Sequence, residues 1–464
     1  MQLVILALPF IMTVFIIGFE FVFPPRNFRF SRWLSLFWPV ATLAAEIVLV
    51  WQPTLTSSGD AAFAFTNLSR VFLTFLFGLA AIGLAVAYVT GFLLSGRFGP
   101  VTLAICGAIA AAFYLSNVFL VTLSFVAAGF FSIVAVVDVD PDDEERFVKV
   151  VRAAVRYLIA SVFFGLMLFI ALVFLERFRL SPELTNLTQI VMALAVVGFA
   201  TRLAIFPLNL WLPEVIEEAP GLAGFLVLGL INVAVVVFLM NFVLQNPLLL
   251  TDNQRESQLL MTVGLAGAGA AAVFALGQNG LGKLLAYTAS ADLGLVLFGL
   301  ASNYSVGRTG AMFEAAAFAF FQLLIFSSFS LIYYCNEGRR FGELSGLGRK
   351  MPIAAIGVGI GLLGLAGVPL LGGFAGKYLI LQAAARAGLG WALVVGATML
   401  LLLVAHLRYF HRVFMGRDVP GLKTLPEPRA AVVLILAMVA VVIGVGLWPA
   451  PLLNILNDAL KGAL

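Results

Sequence analysis

Long uncharged stretches organise this chain. Between Arg97 and Asp138 forty residues pass without one Asp, Glu, Lys or Arg. As a single helix rising about 1.5 Å per residue they would reach about 60 Å, twice the roughly 30 Å hydrocarbon layer of a bilayer. The run therefore predicts two helices that turn near Tyr114-Leu115-Ser116-Asn117. A charge at mid-bilayer costs about 3 kcal/mol or more, so uncharged length segments the rest of the chain as well. It gives fourteen spans, near residues 3–22, 34–51, 71–95, 98–114, 117–137, 153–175, 187–206, 221–246, 258–278, 283–301, 311–334, 352–371, 388–410 and 430–456.

Composition agrees. Of 464 residues 62% are hydrophobic and 11% charged, against about 45–50% and about 25% in an ordinary soluble domain. That excludes a soluble enzyme and predicts an all-α, polytopic membrane protein. A net charge of +4 leaves no basic patch for nucleic acid. Cys106 and Cys335 lie in apolar surroundings and match no metal or redox spacing. His406 and His411 are the only histidines, so no metal centre is expected. Nothing resembles a nucleotide, flavin, quinone-head or iron–sulfur site, so neither a cofactor nor redox chemistry is expected. The first apolar segment starts at Leu3 without a basic flank and runs into Pro24-Pro25, which predicts no cleavable signal peptide.

Basic residues tend to stay on the cytoplasmic side. With the N-terminus outside, the inner loops hold seventeen Lys and Arg and the outer loops seven, out of 27. This predicts a plasma or inner membrane location with both termini outward. The three left over, Arg156, Arg202 and Lys377, fall inside or at the edge of spans.

Two spans read as broken. The seventh runs from Gly198 through Arg202 to Pro207, then continues through Trp211-Leu212-Pro213 into an acidic turn ending at Pro220; the twelfth runs Gly367-Val368-Pro369 to Gly376-Lys377. Proline removes a backbone donor and clustered glycines weaken a helix. Such breaks persist in a bilayer only where protein or a wet cavity satisfies the freed groups. Matching interruptions in two halves of a transporter point to a midplane ion site, and each break here carries a cation.

These residues resemble a known family. Thr201-Arg202, Pro207, Trp211-Leu212-Pro213 and Ala219-Pro220 are similar to the seventh helix of the antiporter-like subunits of respiratory complex I and Mrp-type antiporters. Gly282-Lys283-Leu284-Leu285-Ala286-Tyr287 resembles that family's Lys-Arg-Leu-Leu-Ala-Tyr segment, and Arg156-Tyr157-Leu158 fits its sixth helix. Leu344 to Pro352 with Gly367-Val368-Pro369 and Gly373 to Lys377 resembles its twelfth, closest to the complex I subunit lettered N. The resemblance implies three leading helices in 1–95, inverted five-helix repeats in 96–250 and 251–415, and a last helix in 416–464. It also implies proton transport along buried ionisable groups, with other integral-membrane subunits as partners. A lysine in an apolar pocket suits this, because desolvation and neighbouring charges can switch its protonation.

Several family positions differ. The fifth-helix acid aligns with Phe125-Val126, the seventh-helix lysine with Arg202, the eighth-helix lysine with Asn232, and the eleventh-helix His-Ala-Phe-Phe-Lys with Phe318-Ala319-Phe320-Phe321-Gln322. Only Lys377 remains of the central line. Arginine holds its charge at any accessible pH, so Arg202 can set a field without loading a proton. Asp292 is the candidate acid for Lys377, either as proton partner or in a structural ion pair. Asn232 and Gln322 can support a hydrated chain. Arg156 and Lys283 are either channel residues or helix-end cations. Glu314 reads as the solvated end of a span, and Glu46 as a residue buried against a partner subunit or a separate proton entry. The acidic run Asp138 to Glu145 reads as a solvated loop or a dock for a basic subunit. The expected function is a proton-translocating subunit of a complex I-type NADH:quinone oxidoreductase or related pump. The alternatives are a non-conducting structural subunit, or a membrane partner of a hydrogenase or inorganic-carbon uptake enzyme.

Overall fold

A computed structural model describes residues 2–25, 29–52, 65–91, 97–115, 117–138, 144–180, 186–219, 221–250, 253–336, 346–415 and 425–461. Among them the regular structure is all helical, with no strand. In order the helices are α1 (Gln2–Val22), α2 (Arg29–Val50), α3 (Asn67–Val89), α4 (Phe98–Tyr114), α5 (Val118–Val136), α6 (Glu144–Leu180), α7 (Asn186–Arg202) and α8 (Leu212–Glu218). They continue as α9 (Ala223–Gln245), α10 (Gln254–Leu276), α11 (Leu281–Ala301), α12 (Ser305–Cys335), α13 (Pro352–Leu365), α14 (Gly372–Ala387), α15 (Leu389–Phe414), α16 (Arg429–Leu447) and α17 (Ala450–Lys461). Ten are long and apolar enough to cross a membrane, and four shorter apolar helices, Leu6–Val22, Phe98–Tyr114, Leu187–Arg202 and Pro352–Leu365, accompany them.

Local chemistry explains the boundaries. The forty-residue uncharged run breaks between Tyr114 and Val118, where the Asn117 side chain accepts the N–H groups of Phe119 and Leu120 and so caps α5. Thr66 and Asn253 cap α3 and α10 in the same way.

Several expected boundaries need correction. α6 extends well beyond 153–175 because Glu144 and Glu145 favour its positive N-terminal end and Arg177 and Arg179 its last turn. The acidic segment after Trp211 is the short helix α8, with Pro213 in its first turn, where a missing N–H is harmless. The expected span 430–456 is two helices, because Pro449 cannot continue α16. Residues 139–143 of the acidic run, and Pro220, lie outside the described residues.

Burial sorts the helices. α9 is enclosed along its whole apolar length, and α11 and α12 nearly so, whereas α15 and α16 are buried over 28% of their most apolar stretch. The first three form the centre, and the last two turn apolar faces outward, as lipid-facing helices do. Polar groups on α9, α11 and α12, among them Asn232, Asp292 and Glu314, are therefore enclosed by protein.

Candidate functional site

The second break positions Lys377. α13 closes as the Val368 N–H reaches back to the Leu363 carbonyl (3.1 Å) around Gly367, whose φ is +76°. A left-handed glycine with that six-to-one hydrogen bond is an efficient helix stop. Pro369 then prevents immediate resumption, and the chain restarts as α14 at Gly372. A Cβ at Gly367 would lie 2.6 Å from Lys377 Cδ, so this glycine also leaves room for the lysine stem.

Lys377 Nζ donates to Asp292 Oδ1 of α11 at 2.6 Å and to Glu314 Oε1 of α12 at 2.5 Å. All three side chains are 0% exposed. Small residues allow the approach: a Cβ at Gly376 would lie 2.8 Å from both Glu314 N and Oε2, and one at Gly310 would lie 3.0 Å from the Gly376 carbonyl. Fully ionised, the three groups sum to −1, and one more proton makes them neutral. Asp292 Oδ2 and Glu314 Oε2 have no hydrogen-bond partner among the described residues.

The reading of Glu314 as a solvated span end is thus corrected. α12 starts at Ser305, six residues before the expected 311, so Glu314 stands nine residues inside the helix, about 13 Å from its start. Two turns further along α12, Gln322 is fully buried, and so is Asn232, in a π-helical stretch of α9. Neither amide has a hydrogen-bond partner among the described residues. Buried amides are nearly always paired, and π-helical insertions concentrate at functional sites.

The first break is built alike and furnished differently. Ile205 N–H reaches the Ala200 carbonyl (2.8 Å) around Ala204, whose φ is +53°, and Ser290 donates to the Ala204 carbonyl at 2.5 Å. Arg202 is fully buried. Its Nη2 donates to the Tyr157 hydroxyl at 2.9 Å, and its guanidinium lies 5.1 Å from the Tyr157 ring centre and 5.7 Å from that of Trp211. Tyr157 also accepts from Ser132, and Trp211 is fixed by its N–H on the Thr201 carbonyl. Among the described residues no carboxylate pairs with Arg202, and its Nε and Nη1 have no partner. Phe125 packs against Phe164 and Phe238, at ring distances of 5.9 and 5.0 Å.

The remaining candidates are scattered. Arg156 pairs with Glu214 at a partly exposed position. Lys283 is exposed at the start of α11, its backbone N–H donating to Glu217 at 3.0 Å. Glu46 is 0% exposed within this chain. Its burial therefore needs no partner subunit. Pro207 and Pro369 lie in the two breaks. The sequence reading missed His406, which is fully buried in α15 with neither ring nitrogen paired among the described residues. The available signal was a single histidine inside the apolar run Leu400 to Leu407.

Comparison with known proteins places the chain. A stretch of 224 residues is 33% identical to NADH-quinone oxidoreductase subunit N 1 of Solibacter usitatus, covering 47% of this chain and 45% of that one. The chain spans about half the length of the curated relatives it matches first. A chain of respiratory complex I from Thermus thermophilus shares the fold at a TM-score of 0.76 and 21% identity, over 98% of this chain and 99% of that one. A chain of the Mrp complex from Dietzia sp. does so at 0.81 and 19%, over 99% and 52%. These structural neighbours are chains of multisubunit membrane complexes, and this chain is likewise a multi-pass membrane protein. Residues 142–402, more than half the sequence and including both broken helices and the Lys377 cluster, match the family model described as NADH:quinone oxidoreductase/Mrp antiporter, TM, and the chain belongs to that family.

Proposed function

We propose that this chain is a proton-translocating, antiporter-like subunit of a complex I-type NADH:quinone oxidoreductase or a related ion-pumping complex. Lys377 acts as the relay, and Asp292 and Glu314 as the acids that trade one proton with it. The observation that carries this is the fully buried cluster in which one lysine meets two carboxylates from two other helices. A set one proton away from neutrality can load and release that proton at small electrostatic cost. Asn232 and Gln322 carry a hydrated path between the halves, and Arg202 supplies a fixed charge at its far end. The reading includes fourteen crossings, termini outward, inverted repeats in 96–250 and 251–415, and Glu46, Arg156 and Lys283 as supporting groups. Paired breaks that close by the same hydrogen-bond pattern support the repeats.

The test is Lys377→Met in vesicles holding the isolated complex with its other chains. Assembly should be normal, because methionine keeps the stem that packs on Gly367, and proton pumping should be lost. An assembled Lys377→Met complex that pumps normally would overturn the relay.

A further inference from the structure

A groove of about 1150 Å³ runs between α13 and α15 and opens sideways, because Ile356 and Leu407 on its walls are 43% and 47% exposed. On α13 the lining residues Ile356, Ile360 and Leu363 recur at intervals of four and three, and on α15 Leu407, Phe410 and Phe414 at three and four, so each helix turns one apolar face to the space. A Cβ at Gly348 would lie 2.8 Å from the Phe414 carbonyl oxygen, and one at Gly359 2.8 Å from the Phe410 ring. The two walls thus touch along the groove. A helix with its side chains, about 10 Å or more across, does not fit between them, whereas a single hydrocarbon chain is narrow enough.

From Pro352 to Leu363 α13 rises about 16 Å, and from Phe414 back to His406 α15 descends about 12 Å. Both lengths come close to half of the roughly 30 Å hydrocarbon layer, which is the reach of an acyl chain in one leaflet. Along this length the lining is apolar apart from His406, whose ring nitrogens are closed to the space. The mouth is polar, with Arg349 and His411 both exposed. Neither of these two side chains is engaged by a hydrogen bond or ion pair among the described residues. Arg408 and Arg412 add positive charge on α15 while donating to the Leu276 carbonyl and to Asn279. Glu427, a carboxylate at the start of α13, is committed to the N–H groups of Ile353 and Ala354 at 3.3 and 2.9 Å. An apolar slot one leaflet deep beneath an unpaired cation is complementary to a lipid with an anionic head.

We propose that this slot holds one acyl chain of an anionic phospholipid, with the lipid phosphate at Arg349 and His411. The guanidinium presents a planar fork of N–H donors to the phosphate oxygens, and the His411 ring donates a further hydrogen bond. The acyl chain lies along Ile356, Ile360 and Leu407 toward Leu363, covering apolar surface that the two helices leave unpacked. None of these residues belongs to the Lys377 cluster, so the lipid site stands whether or not Lys377 relays protons.

The test places the isolated complex, with its other chains, in phosphatidylcholine vesicles containing a trace of phosphatidylglycerol that carries a photoreactive diazirine at one chain end. Light should attach this probe to the chain within residues 356–363 or 403–410, as mapped by mass spectrometry. A phosphatidylcholine probe with the same diazirine should label those residues several-fold less. Arg349→Gln should lower labelling by the phosphatidylglycerol probe about 5-fold, the loss expected for one cation at a membrane surface. Arg429→Gln removes an exposed cation outside the slot and should leave labelling unchanged. Equal labelling by the two probes, adducts only outside the slot, or unchanged labelling of Arg349→Gln would each overturn the proposal. So would efficient crosslinking of a benzophenone on Ile356→Cys to another subunit in place of lipid, because a partner chain would then cover the groove. Should Arg349→Gln fail to assemble, the ratio between the two probes on the unaltered complex decides.

Discussion

Arg202 and Lys377 stand at two breaks closed by the same backbone device, a left-handed residue with an N–H reaching back five positions, yet their surroundings have opposite chemistry. Arg202 lies against two aromatic rings and donates to the hydroxyl of one of them, Tyr157. Lys377 lies between two carboxylates. A ring face steadies a cation without accepting a proton, whereas a carboxylate can take the proton that a lysine gives up. The same architecture thus holds a charge against aromatic rings in one half and a charge between two carboxylates in the other.

The contrast is broken most severely by Asp292→Asn with Glu314→Gln, which makes Lys377 a solitary buried cation like Arg202 but without its rings. Removing the partners of a buried charge costs about 3–5 kcal/mol, so the solubilised complex should melt several degrees lower and stop pumping. An unchanged melting temperature would show that the cluster is not held ionically. Gly376→Ala comes next. Its Cβ would press on Glu314 at 2.8 Å, and overpacking costs about 1–3 kcal/mol. Gly396→Ala, which meets nothing within 4 Å, is its control and should cost nothing. Equal stability of the two would show that α12 and α14 can part freely.

Arg202→Lys sharpens the comparison from the other side. It keeps the charge but loses the planar contact with Tyr157 and Trp211, worth about 1 kcal/mol. Pumping should stay unchanged or rise, because Arg202 loads no proton; a collapse of pumping would make the guanidinium itself essential. The smallest effect belongs to Ala204→Gly. Relief of the left-handed alanine is worth about 1–2 kcal/mol, and glycine's extra unfolded freedom returns about 0.5–1. Thermal stability should rise by at most about 1.5 kcal/mol while pumping holds; a fall would mean that the Ala204 methyl packs productively.

Much of this was legible in the chain. Uncharged length located the apolar helices, including the turn at Asn117, because the bilayer penalises charge at every depth in the same sense. Pro207, Pro369 and the glycines around Lys377 located both breaks, since their backbone limits are properties of single residues. Asp292 was legible as the partner of Lys377 because it lies too far inside α11 for solvent.

What the sequence by itself determined was local: which stretches are apolar, where they stop, and that three cations had no loop to occupy. Tertiary structure alone decided which groups meet. Glu314 looked terminal because the start of α12 was placed at 311, and packing of Gly310 on α14 is part of a helix that begins at Ser305. His406 carries no sequence sign beyond its apolar neighbours; its position at the floor of a cavity depends on α13 and α15 standing apart there. Depth along a helix is a one-dimensional quantity that hydropathy can bound. The side of the helix that meets a given neighbour is set by contacts between segments such as Asp292 and Lys377, 85 positions apart, and no local pattern records it.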